Sequence, residues 1–142
     1  MKLINKIAIL VTAVTTSLSI MAEEKSKLRV VTTEVAPKLY MLEGAGGFVG
    51  GNMMLSIGED GVVLIDDALS SNLPLLKTAI ESVTEQPIDY LINTHFHADH
   101  IGNNEAFSKE GSHIVAHENI RERLIKKGAA ENKDTPKGSL PV

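Results

Sequence analysis

Thr94 to His100 reads THFHADH and places three histidines and an aspartate, His95, His97, Asp99 and His100, in seven consecutive positions. The motif follows Ile88 to Asn93, an apolar run that reads as a buried strand. No other stretch constrains the chain so strongly. In extended backbone, residues two apart project to the same side about 7 Å from each other, so His95 and His97 can converge on one cation with modest bending. Ala98 lets the chain turn, which aims Asp99 and His100 at the same ion or at a second one. Imidazole and carboxylate donors suit zinc, with iron and other first-row metals as competitors. The motif therefore reads as a metal site with His95, His97, Asp99 and His100 as ligands.

The amino terminus follows a different plan. Lys2 and Lys6 form a short positive region, Ile7 to Val14 an apolar core and Ser17 to Ala22 a small-residue end, with Glu23 and Glu24 opening a polar segment. This is the layout of a secretory signal peptide over residues 1–22, cut after Ala22. Its apolar core is too short to span a bilayer, so no stable membrane anchor is expected after cleavage, and the bacterial periplasm is the expected compartment. Residues 23–142 then suffice for one small domain with a core. Charged residues at 23% and apolar ones at 43% are ordinary for a soluble domain. The chain has no cysteine, which excludes disulfides and a thiolate zinc ligand. A formal net charge of -4 argues against a general nucleic-acid partner.

Hydrophobic patterning predicts strands over Leu28 to Glu34 and Lys38 to Glu43, broken at Pro37, which cannot donate to a ladder. Gly44 to Gly51, GAGGFVGG, reads as a mobile hairpin loop, because no phosphate-loop spacing with lysine and serine or threonine accompanies it. Asn52 to Ile57 and Val62 to Asp66 form a hairpin around Gly58 to Gly61, and the unbroken apolar run Val62 to Ile65 predicts burial on both faces. A helix is expected over Asn72 to Thr84, capped by Ser71 or Asn72, with Pro74 in its first turn and Pro87 as its stop. Next come a strand over Ile88 to Asn93, a short helix over Asn103 to Lys109 ended by Gly111, and a strand over His113 to Ala116. Glu118 to Lys127 predicts a last helix, stopped at Gly128, on which Arg121, Arg123, Lys126 and Lys127 read as a solvated face. His113 and His117 read as surface or capping histidines. Asp66 is a turn carboxylate or a group that orients a ligating histidine, Asp67 is a turn residue, and Ala129 to Val142 is a polar loop.

The H-x-H-x-D-H spacing, the flanks LINT (Leu91 to Thr94) and IGNN (Ile101 to Asn104), and the strand GEDGVVLID (Gly58 to Asp66) resemble the metallo-β-lactamase fold hydrolases. The resemblance runs from about Lys38 to about Leu124. It implies an α/β (α+β) fold, the αββα sandwich, of which residues 23–142 supply the amino-terminal lobe only. It also implies that further ligands lie downstream, so a missing half or a second chain would complete the site, and the sheet face turned toward that partner would be apolar and uncovered. By the same resemblance Asp66 orients a histidine, and the glycine hairpin overhangs the metal with Phe48 and Val49 as an apolar flap. The implied chemistry is hydrolysis of a small-molecule substrate by one or two zinc ions that acidify bound water, with Asp99 as the catalytic residue that orients that water or takes its proton. Candidate substrates are β-lactams, thioesters, lactones, phosphodiesters and small esters. Two alternatives belong to other classes: an iron-dependent oxygenase on the same scaffold, and a truncated, non-catalytic metal-binding protein.

Overall fold

The computed structural model describes residues 27–130 and 139–142; the expected signal peptide of residues 1–22 lies outside the described residues. The elements run β1 (Arg29–Ala36), β2 (Leu39–Ala45), β3 (Met53–Ile57), β4 (Val62–Ile65), α1 (Leu73–Glu81), β5 (Tyr90–Asn93), α2 (Ala98–Ile101), α3 (Asn104–Lys109), β6 (His113–Ala116) and α4 (Glu118–Ala130). A turn of 3-10 helix, Ser70–Asn72, leads into α1. Among the described residues no helix is long and apolar enough to cross a membrane.

The strands make one sheet in the order β1-β2-β3-β4-β5-β6. The first four pair antiparallel and the last two join in parallel. Connection length explains the switch: the links between β1 and β4 are turns and loops, whereas β4 to β5 and β5 to β6 cross over through helices, as parallel pairing requires. Cross-strand register sorts the side chains into two rows. Leu42 lies opposite Met53, Leu55 opposite Leu64, Leu64 beside Leu91 and Leu91 beside Ile114. All of these are buried, under Leu76, Ala79 and Ile80 of α1 and Phe107 of α3. Each large side chain buried this way contributes about 1.5–3 kcal/mol.

The other row is Met41, Met54, Ile65, Ile92 and Val115, one residue from each of β2 to β6 in register. None of them is buried. The expectation that Val62 to Ile65 is covered on both faces is therefore corrected: Val62 and Leu64 are fully buried, while Val63 and Ile65 are only half-buried. An apolar run in the sequence records what a face is made of, not what lies on it.

Three local expectations also change. Neither Ser71 nor Asn72 caps α1; the Asn72 side chain instead donates to the Val49 carbonyl at 2.8 Å. Helix α4 runs through Gly128 to Ala130, since an interior glycine costs only about 1 kcal/mol against alanine. The expected terminal loop begins in that helix and ends in contact, with Pro141 fully buried and the Val142 amide donating to the Ile114 carbonyl at 2.9 Å. His117 does cap: its Nδ1 accepts from the Asn119 amide at 3.1 Å at the start of α4.

Candidate metal centre

The site lies at the carboxyl ends of β4 and β5, the usual place for ligands in layered sheets. Leaving β4, Asp66 and Ala68 both take left-handed backbone, φ 60° and 65°, at about 1–2 kcal/mol each for residues with a Cβ. Strain of this kind persists where the surroundings over-determine it. Here the Asp66 amide donates to the Ile92 carbonyl at 2.8 Å. Its Oδ1 accepts from the Thr94 amide at 2.8 Å. Its Oδ2 accepts from the Thr94 hydroxyl at 2.7 Å and lies 2.7 Å from His100 Nδ1. One buried carboxylate thus fastens both ends of the motif.

These bonds set two tautomers. With Asp66 deprotonated, His100 Nδ1 must carry a proton to donate to it, so Nε2 of the neutral ring keeps its lone pair. The Thr94 hydroxyl spends its hydrogen on Asp66, so at 3.0 Å from His95 Nδ1 it can only accept. His95 is therefore protonated on Nδ1 as well, with Nε2 free. Asp66 thus orients the His100 ring directly and the His95 ring through Thr94, a relay role that sequence reasoning did not assign to Thr94.

His100 Nε2 faces Asp99 Oδ2 at 3.3 Å. Two electron-pair donors that face each other call for a cation or a proton between them. Two ligand atoms about 2.0–2.1 Å from a tetrahedral zinc stand about 3.3 Å apart, so this pair has the separation zinc needs. The His95 ring lies 3.9 Å from the His100 ring and 4.8 Å from the His97 ring, centroid to centroid. All four expected ligands are thus gathered at one end of the sheet. Among the described residues, however, no three His, Asp or Glu side chains are arranged to hold one ion. The donors fit zinc in chemistry and, for Asp99 and His100, in spacing, without closing a shell.

A buried polar frame surrounds the motif, built from Asp67 and from asparagines that the sequence marked only as flanks of the family resemblance. Asn93 Nδ2 donates to the His100 carbonyl at 3.1 Å and to Asn104 Oδ1 at 3.0 Å, and Asn104 Nδ2 returns a bond to Asn93 Oδ1 at 2.9 Å. The Asn103 amide donates to Asp67 Oδ2 at 3.0 Å, and its side chain donates to the Asp67 and Leu69 carbonyls. Asp67, expected only as a turn residue, belongs to this frame. It is fully buried, and Oδ1 has no hydrogen-bond partner among the described residues. Burial pushes its carboxyl up to about 8; the neighbouring Asp66 charge adds to the rise, and the Asn103 and Gly102 amides oppose it. The signal available in the sequence was three asparagines bracketing the motif, polar groups where an apolar strand and helix would otherwise continue.

The glycine loop is the backstop of the site. Val49 is fully buried, and its carbonyl accepts from the Leu69 amide at 3.1 Å as well as from Asn72. That overturns the reading of Val49 as part of a flap, because an anchored, buried residue cannot swing; Phe48 beside it is 66% exposed. Gly51 lies against the His100 ring so closely that a Cβ there would stand 2.5 Å from Cε1. Only glycine lets the backbone reach that ring.

The family model for the metallo-beta-lactamase superfamily matches residues 46–140. The chain belongs to the metallo-beta-lactamase superfamily. No curated protein matches it. Among solved structures it is similar to a metallo-beta-lactamase from Pontibacter korlensis, at 24% identity and a TM-score of 0.59 over 77% of this chain and 51% of that one. It is also similar to a subclass B3 metallo-beta-lactamase of Bradyrhizobium japonicum, at 24% identity and a TM-score of 0.60 over 72% and 39%. A metallo-beta-lactamase from Pseudomonas aeruginosa, solved in a mono-zinc form, aligns at 19% identity and a TM-score of 0.60 over 72% and 48%. The chain therefore spans between two fifths and about half of these metallo-beta-lactamases. The superfamily match begins in the glycine loop and includes Gly51, Asp66, Thr94 and the whole motif.

Proposed function

We propose that this chain carries the metal-binding half-site of a zinc-dependent hydrolase of the metallo-beta-lactamase fold. His95 and His97 would hold one ion, and Asp99 and His100 would help to hold a second. Zinc bound there would supply Lewis acidity and lower the pKa of a bound water toward about 7. The observation that carries the reading is the 3.3 Å between His100 Nε2 and Asp99 Oδ2, two donors turned on each other. The chain's own residues supply the rest. Asp66 holds the His95 and His100 tautomers, and Asp99, with about a quarter of its side chain exposed, can orient water or accept its proton. The substrate is a small molecule, and export to the periplasm by the amino-terminal signal favours β-lactams or periplasmic esters and thioesters.

The first test is a zinc titration of the metal-free protein by calorimetry, followed by hydrolysis assays on a β-lactam, a thioester, a lactone and a phosphodiester. Zinc binding that His100→Ala weakens and His95→Ala/His100→Ala abolishes, with turnover of one substrate class, supports the reading. Absence of specific zinc uptake overturns it. A second reading, a non-catalytic metal-binding protein, is favoured by the lack of any three-ligand group among the described residues, because open shells hold ions weakly. Zinc bound without turnover of any substrate would select it. Iron at the site with oxygen uptake would select an oxygenase on the same scaffold.

A further inference from the structure

A groove of about 340 Å³ opens beside the motif, lined by Phe96, His97, Ala98, Arg123, Leu124 and Lys127. It joins an expected ligand, His97, to two of the four cations of α4 that the sequence had assigned to a solvated face. The other two stay outside the groove, and Lys126 is paired with Glu122 at 3.3 Å. The Arg123 guanidinium sits 4.4 Å above the Phe96 ring. At that distance the cation rests on the ring face, and a guanidinium carries the fork of N–H donors that matches a carboxylate. Phe96, Ala98 and Leu124 supply an apolar wall beside those donors. With a net charge of -4 on the chain, attraction for an anion has to come from such a local pair.

We infer that this groove is a subsite for an organic carboxylate with an apolar body, held by Arg123 and Lys127 with its hydrocarbon against Phe96 and Leu124. Its position beside His97 makes it a specificity site for the hydrolase proposed above, and only the word specificity rests on that reading. The carboxylate would bind Arg123 in its plane, Lys127 would add a second charge, and the bound molecule would extend toward His97.

The test uses the metal-free chain, so it does not depend on zinc or turnover. Phenylacetate and its neutral isostere phenylacetamide are titrated separately and followed by amide NMR shifts. Phenylacetate is expected to move the Phe96 to Ala98 and Arg123 to Lys127 amides. The variant Arg123→Gln/Lys127→Gln is expected to weaken it roughly tenfold, the scale of one charge-assisted contact in a partly exposed site. Phenylacetamide should bind more weakly and be indifferent to the variant. Arg121→Gln/Lys126→Gln removes the same charge from outside the groove and should leave the phenylacetate affinity unchanged. Equal affinity in wild type and the groove variant, equal binding of acid and amide, or an equal loss in both variants would each overturn the inference. Failure of zinc uptake or hydrolysis would leave the binding result standing.

Discussion

The segments that leave β4 and β5 run side by side and are built to opposite standards. Asp66, Asp67 and Ala68 are all buried, two of them in left-handed backbone, with Asp66 and Asp67 bonded to the motif and to Asn103. Across from them Thr94, Phe96, His97 and Ala98 are exposed, and His95, Asp99 and His100 are half-exposed. The first segment is a frame that spends backbone strain and buried polarity to hold a shape. The second keeps its donor atoms reachable. A metal centre needs both, because ligands bonded fully to protein have no lone pairs left, and ligands held by nothing have no geometry.

The largest blow to the frame comes from beneath it. Leu64→Ala, under the β4 segment, is expected to cost about 2–5 kcal/mol in urea unfolding, and a loss below 1 would mean that the helix-covered face is not the core. Asp66→Asn breaks the link between the two segments directly. Zinc affinity should fall about tenfold to a hundredfold, with nitrogen NMR reporting mixed tautomers at His95 and His100; unchanged tautomers would show that the carboxylate does not set them. Thr94→Val takes one donor from Asp66 and should scramble the His95 tautomer in the same spectra while the His100 tautomer, still held by Asp66, is kept.

Asp67 sharpens the comparison through pH. Its carboxyl stays neutral in the folded protein to about pH 8, whereas its ordinary value is 3.8. Between those values the unfolded chain binds fewer protons, so stability should fall as pH rises through the window, by at most about 1.4 kcal/mol per pH unit, and level off above about pH 8. Asp67→Asn should flatten that profile, and an equally steep profile in the variant would place the titration elsewhere. The smallest effect belongs outside both segments. His117→Ala, which removes the cap of α4, should cost less than about 1 kcal/mol in thermal unfolding and leave zinc affinity unchanged.

How much of this could be read in advance divides by range. The strand His113–Ala116 has the expected limits, and the β4 strand and the α3 helix differ by a residue, because their signals are periodicity and punctuation within a few positions. The expected ligands announced themselves by spacing. Thr94, Asn93, Asn103 and Asn104 did not, because each acquires its role from a partner brought near by the β4 to β5 crossover or by the short helices after the motif. Val49, made part of a flap by the family resemblance, was misread for the same reason: only the fold brings Asn72 and Leu69 onto its carbonyl.

From the sequence alone came the donor set, the alternation of strands and helices, and a family resemblance centred on one heptapeptide. Those are local properties, carried by residue chemistry and by spacing along the chain. The tertiary structure decided which nitrogen of His95 and of His100 is free, which aspartates are buried, why position 51 must be glycine and which cations of α4 line the groove beside His97. Each of those depends on atoms distant in sequence meeting within hydrogen-bond or van der Waals range, and no periodicity encodes such a meeting.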